Sequence, residues 1–498
     1  MSSSMSTSRG ADAAPPDNPG PPDNDGDADR SVVVLGAGLA GLSAANKLAA
    51  NGYSVTVLEA SEHAGGLAAS FTKSTEWGEF DYDNGPHRFH TGEQHLNDEV
   101  LRLLGDNVCT ANRQSRIFLY DRFFHYPLQG ANILRLPKLV LLKAGIDYLA
   151  VKVRNIFSRR PDDNFENWTI NRFGRKLYDI FFGVYTEKTW GIPCNKISAD
   201  WAAQRITLLS LWDTVMKTLF RPKNVPRTLV SKFFYPRRGG IGALCRSYVE
   251  ELREDGHTVH MSSPATAVET EEGRTVAVRY RDPAGQEQRI ESPNIIGTIP
   301  LTTLARLTEP PAPENVADAC SGLSHRSMIF VFLILDREKV TDDHWIYLPE
   351  KRLTTHRLSE FKNFSPDAAP KDKTLLCAEI TCNYEDEDWN KTDEELQEIV
   401  VDDLTNTIKL IDAKEVLHTF SRRERYAYPI YDLEYRDRRD AILAYFDSID
   451  GLDTTGRQGL FKYNNMDHSI GMGLAIADNL LGRGKDHKKV ATEQKWFG

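Results

Sequence analysis

SVVVLGAGLAGLSAANKLAANGYSVTVLEASEHAGGLAASF, residues 31–71, decides the fold. Four apolar residues, 32–35, run straight into Gly36, Gly38 and Gly41, spaced G-x-G-x-x-G. An unbroken apolar run is the mark of a strand buried on both faces, as in a parallel sheet. The glycines allow a tight turn, close approach of backbone to a pyrophosphate, and packing of a helix against the strand. Residues 42–50 carry a helical pattern, Gly52 ends it, and residues 54–58 predict a second strand closing on Glu59. A carboxylate about twenty residues beyond the glycines is placed to accept hydrogen bonds from an adenosine ribose. Strand, turn, helix, strand and acid in this order predict a dinucleotide site.

A second glycine pair follows at Gly65 and Gly66, with Leu67 behind it. A nicotinamide domain has no need of that pair, which brings further backbone amides to the phosphates. The segment resembles the amine-oxidase-like FAD superfamily, in which the acid ending the second strand and a following GG belong to the flavin site. The resemblance implies FAD as cofactor. It also implies an α/β fold: a Rossmann-type FAD-binding domain of the flavin-monooxygenase or amine-oxidase kind, with an interleaved substrate sheet and a helical domain.

Outward from this stretch, residues 1–30 are rich in Pro, Gly, Ser and Asp with almost nothing to bury, and are expected to be a disordered tail. Residues 31–95, 233–300 and 451–485 read as separated pieces of the FAD-binding domain. Residues 96–232 read as mostly helical, best in 131–156 and 165–182, and 301–450 as a substrate-binding sheet. At 498 residues the chain can bury a large cofactor. A net charge of −10 argues against a nucleic-acid binder. Six cysteines with no C-x-x-C pair fit thiols in a reducing compartment and offer no metal-ligand spacing. No apolar run reaches the length of a membrane span and no signal peptide opens the chain, so a cytoplasmic protein is expected.

Three further motifs carry chemistry. The first is DYDNGPHRFHT, residues 81–91, with His87 and His90 around an Arg and a Phe. It resembles the G-P-H-x-F-H-T segment of the UDP-galactopyranose mutase family, and by that resemblance His87 lies near the flavin ring. The second, FFGVYTEKTWG at 181–191, is similar to the family's G-Y-T-x-K-x-W-G. The resemblance implies that Trp190 lines a nucleotide-sugar pocket, and a nearby Lys suits phosphate. The third, GRQGLFKYNNMD at 456–467, precedes a helix and is similar to the family's flavin-contacting segment. It assigns Gly456, Arg457, Asn465 and Met466 to the cofactor, and Arg457 and Tyr463 to a substrate diphosphate as well. YAYPIY at 426–431 resembles the family's Y-Y-P and offers phenols to the same pocket.

Two departures stand out. Asn465-Met466-Asp467 replaces the family's usual D-M-D, and the arginine- and tyrosine-rich stretch expected after the Trp motif shrinks to Arg205. YPRRGGIG at 235–242 is shared with protoporphyrinogen-oxidase-like and amine-oxidase-like proteins. Two readings therefore stay open. One is a flavoenzyme acting on a nucleotide-linked or lipid-linked sugar in glycan biosynthesis by flavin N5 chemistry at the anomeric carbon. The other is a net FAD-dependent oxidation. Phosphate-binding cations favour the first, and an uncharged aromatic tunnel favours the second. Basic residues gather in 131–160 and 217–238, as a solvated helix face, a funnel for anions, or a surface touching lipid headgroups.

Overall fold

Strand β1 (Ser31–Leu35) is the middle of a five-stranded parallel sheet in the computed structural model, which describes residues 30–126, 137–205, 232–484 and 487–490. The tail at 1–29 and most of the basic stretch 217–238 lie outside the described residues. The sheet runs Leu452–Thr454, Ile295–Gly297, β1, β2 (Ser54–Leu58), Thr258–His260, so its strands come from three distant parts of the chain. Side chains of β1 alternate between two cores. Val32 and Val34 pack with helix α1 (Leu39–Ala49) and with the helices Ala243–Glu254 and Met466–Leu480. Val33 and Leu35 face the helix Leu301–Leu307 and a four-stranded sheet that includes Ala265–Glu271 and Arg274–Arg281. Burial on both faces explains why the strand is apolar throughout.

Gly41 and Gly473 are glycines because backbones meet there. A Cβ on Gly41 would lie 2.1 Å from the Gly36 carbonyl oxygen, and one on Gly473 2.2 Å from that of Ala40. The first contact holds α1 down on its turn, and the second locks the C-terminal helix onto α1.

Across from the parallel sheet stands a seven-stranded sheet in the order Val416–Pro429, His325–Leu335, Thr374–Cys382, Arg357–Glu360, Trp345–Tyr347, Ser115–Leu119, Arg122–His125. It is antiparallel except where Trp345–Tyr347 meets Ser115–Leu119. Here the period is two. Ile329, Val331, Leu333 and Leu335 pack under the helix Asp393–Asp402, whereas Met328, Phe330, Phe332 and Ile334 face the hairpin of Ser70–Thr75 and Gly78–Asp83.

Within 96–232, read from the sequence as mostly helical, Cys109–Asn112, Ser115–Leu119 and Arg122–His125 are strands. The last two make a hairpin whose turn residues, Tyr120 and Asp121, both have positive φ. Such a turn normally advertises itself with Asn-Gly or Asp-Gly, and neither occurs here. The helical pattern at 165–182 breaks after Phe173 at Gly174, with φ of 85°, and ends in a wide π-type turn, Tyr178–Phe182. Helix Lys138–Phe157 covers the described part of 131–156.

Candidate functional site

Between the carboxyl ends of the parallel strands and the inner face of the large sheet lies a cavity of about 960 Å³. A crevice at this edge of a parallel sheet is where dinucleotides bind. One end is built by the glycine segments. Gly65 donates its N–H to the Ala37 carbonyl at 2.8 Å, so the two glycine segments are stitched together. Cβ atoms placed on Gly38 and Gly66 would meet nothing closer than 3.9 and 3.8 Å, so these two residues border open space. Glu59 ends β2 with its carboxylate held by the N–H groups of Ala37 and Ser61, each at 2.8 Å. Each oxygen keeps further acceptor capacity toward the cavity.

The second wall grows from the hairpin strand Gly78–Asp83. Asp83 is fully buried and accepts hydrogen bonds from Ser70 Oγ, from Tyr235 Oη at 2.8 Å and from the Ile241 N–H at 3.1 Å. These bonds fasten the 235–242 segment to the turn that presents residues 84–90. Burial, only partly offset by the three donors, raises the Asp83 pKa to about 7. A carboxyl more easily protonated in the folded state stabilises the fold at low pH, and that contribution fades as pH rises from about 4 to 7. Asp83→Asn is therefore expected to remove from the stability profile a fall of up to about 1.4 kcal/mol per pH unit in that window. Urea unfolding of both proteins at several pH values reads the difference, and parallel slopes would refute it.

Beyond the turn, His87 faces the cavity. Burial, then the cations of Arg457, Arg357 and Arg88, push its pKa down to about 3, so the imidazole is neutral at physiological pH. Its Nδ1 is buried and has no hydrogen-bond partner among the described residues. His90 is likewise lowered to about 4, by burial and then Arg88.

The third wall is 456–466. Arg457 lies against the rings of Tyr463 and Tyr428, 4.6 and 5.0 Å from their centroids, and donates to the carbonyls of Ala427 and, more loosely, Asn464. Asn465 caps the helix Met466–Leu480, with the His468 ring accepting from its N–H at 3.2 Å.

Gly36, Gly38, Glu59, Gly65, Gly66, Leu67, His87, Gly456, Arg457, Tyr463, Asn465 and Met466 all line this one cavity. Two of the expected residues do not. Gly41 acts through helix packing alone. Trp190 is 3% exposed in an aromatic cluster, edge-on to Trp201 at 4.6 Å, and only backs the cavity-lining Tyr428 and Tyr463. Lys188, expected near phosphate, instead donates to the carbonyls of Leu348, Glu350 and Thr355. Arg205 has no described side chain.

Four cavity arginines were not singled out from the sequence: Arg88, Arg113, Arg357 and Arg422. Arg88 lies 4.5 Å from the Trp345 ring, with Arg113 on the same ring at 5.4 Å. Arg357 makes a double hydrogen bond to Glu379, a carboxylate with no exposed side-chain surface. Arg422 lies over Phe71 beside Glu424, nearer Glu59. Around His87, four guanidinium groups, those of Arg88, Arg113, Arg357 and Arg457, thus meet a single cavity carboxylate, Glu379. Arg88, Arg113 and Arg457 have no ion-pair partner among the described residues. The buried Nε atoms of Arg113, Arg422 and Arg457 also lack acceptors there. Gathered on one cavity, these donors are ones that a ligand carrying acceptor oxygens would satisfy.

Residues 39–444 match the family model described as flavin containing amine oxidoreductase. A protein named "Probable UDP-galactopyranose mutase" from Klebsiella pneumoniae is 25% identical over 253 residues, 48% of this chain and 62% of that one, less than two thirds of its length. Among solved structures, reduced UDP-galactopyranose mutase superposes with a TM-score of 0.80 at 22% identity, over 93% of this chain and 97% of the other. An Exiguobacterium protein assigned as a protoporphyrinogen oxidase gives 0.69 at 18% identity, over 92% and 100%. These two likenesses establish the fold.

The cavity fits FAD on its own geometry. The glycine segments leave room where any Cβ would intrude, Glu59 stands at the ribose position, and the unpartnered His87 Nδ1 and Arg457 Nε lie at the other end. From the family match and this fit, the chain belongs to the flavin-containing amine oxidoreductase family and is an FAD-dependent enzyme.

Proposed function

We propose that this enzyme rearranges a nucleotide-linked or lipid-linked sugar, with no net oxidation, in the manner of a UDP-galactopyranose mutase. One observation carries the reading: four arginines face one carboxylate at the His87 end of the cavity. In a partly dehydrated crevice such an excess of guanidinium groups favours a dianionic diphosphate, which they bind through charge-assisted hydrogen bonds. The same cluster repels a protonated amine, which disfavours amine oxidation.

The glycine segments, Glu59 and the turn at 456–466 would hold FAD. When bound and reduced, it supplies an electron-rich ring nitrogen to the anomeric carbon. The chain's own residues do the rest. Arg88, Arg113 and Arg457 take the diphosphate, first as part of the substrate and then as a leaving group that must not diffuse away. Tyr428 and Tyr463 hold Arg457 in place and present phenols to the sugar. His87, neutral, offers an imidazole without adding to the positive charge. Trp190 sets the orientation of the two tyrosines from behind. In this reading 31–95, 233–300 and 451–485 carry the cofactor, while strands from 301–450 supply Arg357, Glu379 and Tyr428 to the substrate end.

The test is turnover by the dithionite-reduced holoprotein on a panel of nucleotide sugars. Isomerised sugar, no net consumption of reductant and no activity in the oxidised form are expected. Stoichiometric bleaching of the oxidised flavin by an amine or another reduced substrate would select net oxidation instead. Arg457→Ala is expected to weaken nucleotide-sugar binding by about 1 to 3 kcal/mol, the range for a lost charged hydrogen bond. Unchanged binding in a calorimetric titration would remove Arg457 from the diphosphate site.

A further inference from the structure

The helix Lys138–Phe157 turns an apolar stripe outward. Its inner face is conventional: Ala144 and Val151 are buried, Val140 and Leu141 pack on the Ser115–Leu119 hairpin, and Asp147 accepts from the Lys176 N–H at 2.7 Å. On the opposite face, Leu139, Leu142, Ile146, Leu149, Val153 and Ile156 recur at alternating intervals of three and four, which puts them on one side of the helix. Phe157 extends the row. Their exposure runs from 56% at Val153 to 84% at Phe157. Single exposed leucines are ordinary on protein surfaces, but a continuous row of seven marks an interaction site.

Charge says what covers it. In a chain of net charge −10, residues 138–160 hold six basic residues and one acid, and that acid, Asp147, belongs to the inner face. Lys143 and Lys152 flank the stripe on opposite sides, and Lys138 stands at its start. None of the three pairs with a carboxylate among the described residues. Two copies of this face brought together would set lysine against lysine with no acid to answer them. An apolar face bordered by lysines that can extend to phosphate level is instead the pattern of a helix lying in a membrane interface. No helix among the described residues is long and apolar enough to cross a membrane, so the contact is with one surface.

We propose that this helix docks the enzyme on anionic lipid bilayers, its stripe sunk into the headgroup boundary and its lysines on lipid phosphates. The docking stands apart from the reading of the cavity, because no residue of the stripe lines it. The test is flotation of FAD-loaded full-length protein with vesicles of phosphatidylcholine alone and with vesicles containing phosphatidylglycerol. The protein is expected to float with the anionic vesicles, to stay behind with the neutral ones, and to be released as salt rises. Leu142→Glu combined with Leu149→Glu abolishes flotation while flavin absorbance and melting temperature stay as in the parent. Lys143→Glu and Lys152→Glu each lower partition by about fivefold or more. Absence of flotation with anionic vesicles overturns the proposal. So does a lipid-independent dimer that the paired glutamate substitutions dissociate, since a second copy would then be the occupant.

Discussion

Glu379→Ala is expected to cost about 3 to 5 kcal/mol of folding stability, the range for removing one partner of a buried ion pair. Glu379 and Arg357 are cross-strand neighbours in register, and the carboxylate is wholly buried while the guanidinium is 19% exposed toward the cavity. Burial alone would lower the Arg357 pKa; the adjacent carboxylate instead holds it well above the ordinary value. With alanine at 379, Arg357 would keep its charge in a dry wall with no carboxylate beside it. Glu379→Gln retains one acceptor oxygen and is expected to cost less. The same change makes the flavin end more cationic, so any folded Glu379→Ala protein should bind a nucleoside diphosphate at least as tightly as the parent. Chemical denaturation reads the first effect and ligand titration the second. A stability loss under about 1 kcal/mol would mean that the pair is a loose contact and that Arg357 is free to serve the substrate.

The second large effect concerns the cradle. Gly38→Ala is expected to weaken FAD binding roughly ten- to hundredfold, matching the 1 to 3 kcal/mol typical of forcing a methyl into a filled space. Its backbone has φ of −81° and ψ of 174°, which any residue adopts, and a Cβ there would meet no protein atom closer than 3.9 Å. The protein without cofactor should therefore unfold at the same denaturant concentration as the parent. That separation sets Gly38 apart from Gly36, where φ is 106° and a Cβ would lie 2.5 Å from Thr298 Oγ1, so that the fold itself would suffer. Flavin titration of apoprotein checks the affinity. Equal FAD affinity in Gly38→Ala would mean that the pyrophosphate does not approach this turn.

What could be read from the sequence was what local chemistry encodes. From Ser31 to Gly66 each step constrains the next, and the elements fall where the pattern puts them, with strand Ser54–Leu58 matching its expected bounds and α1 starting three residues early. His87 and Arg457 were also legible, because each sits in a short motif whose turn residues place it. The Arg357–Glu379 pair was not. Its only trace is a lone acid in the otherwise uncharged TLLCAEITC, and the pairing depends on a strand register that nothing local specifies. Arg88 was in view inside residues 81–91, but its role appears only when Arg113 and Arg357 come to the same end of the cavity. Trp190 shows the reverse error. The motif around it matches, yet side-chain depth is set by Trp201 and Tyr463, which arrive from elsewhere and leave it one layer behind the cavity surface. Arginines absent after the Trp motif reach the cavity instead from other elements, as Arg88, Arg113 and Arg357.

The claim beneath the proposed chemistry is that anions bind beside the flavin. Titrating the oxidised, FAD-loaded protein with a nucleoside diphosphate while recording its visible spectrum tests this most directly. A saturable spectral shift that weakens with added salt, and that a simple amine neither produces nor competes with, is predicted. A spectrum indifferent to the diphosphate but bleached anaerobically by the amine would contradict it.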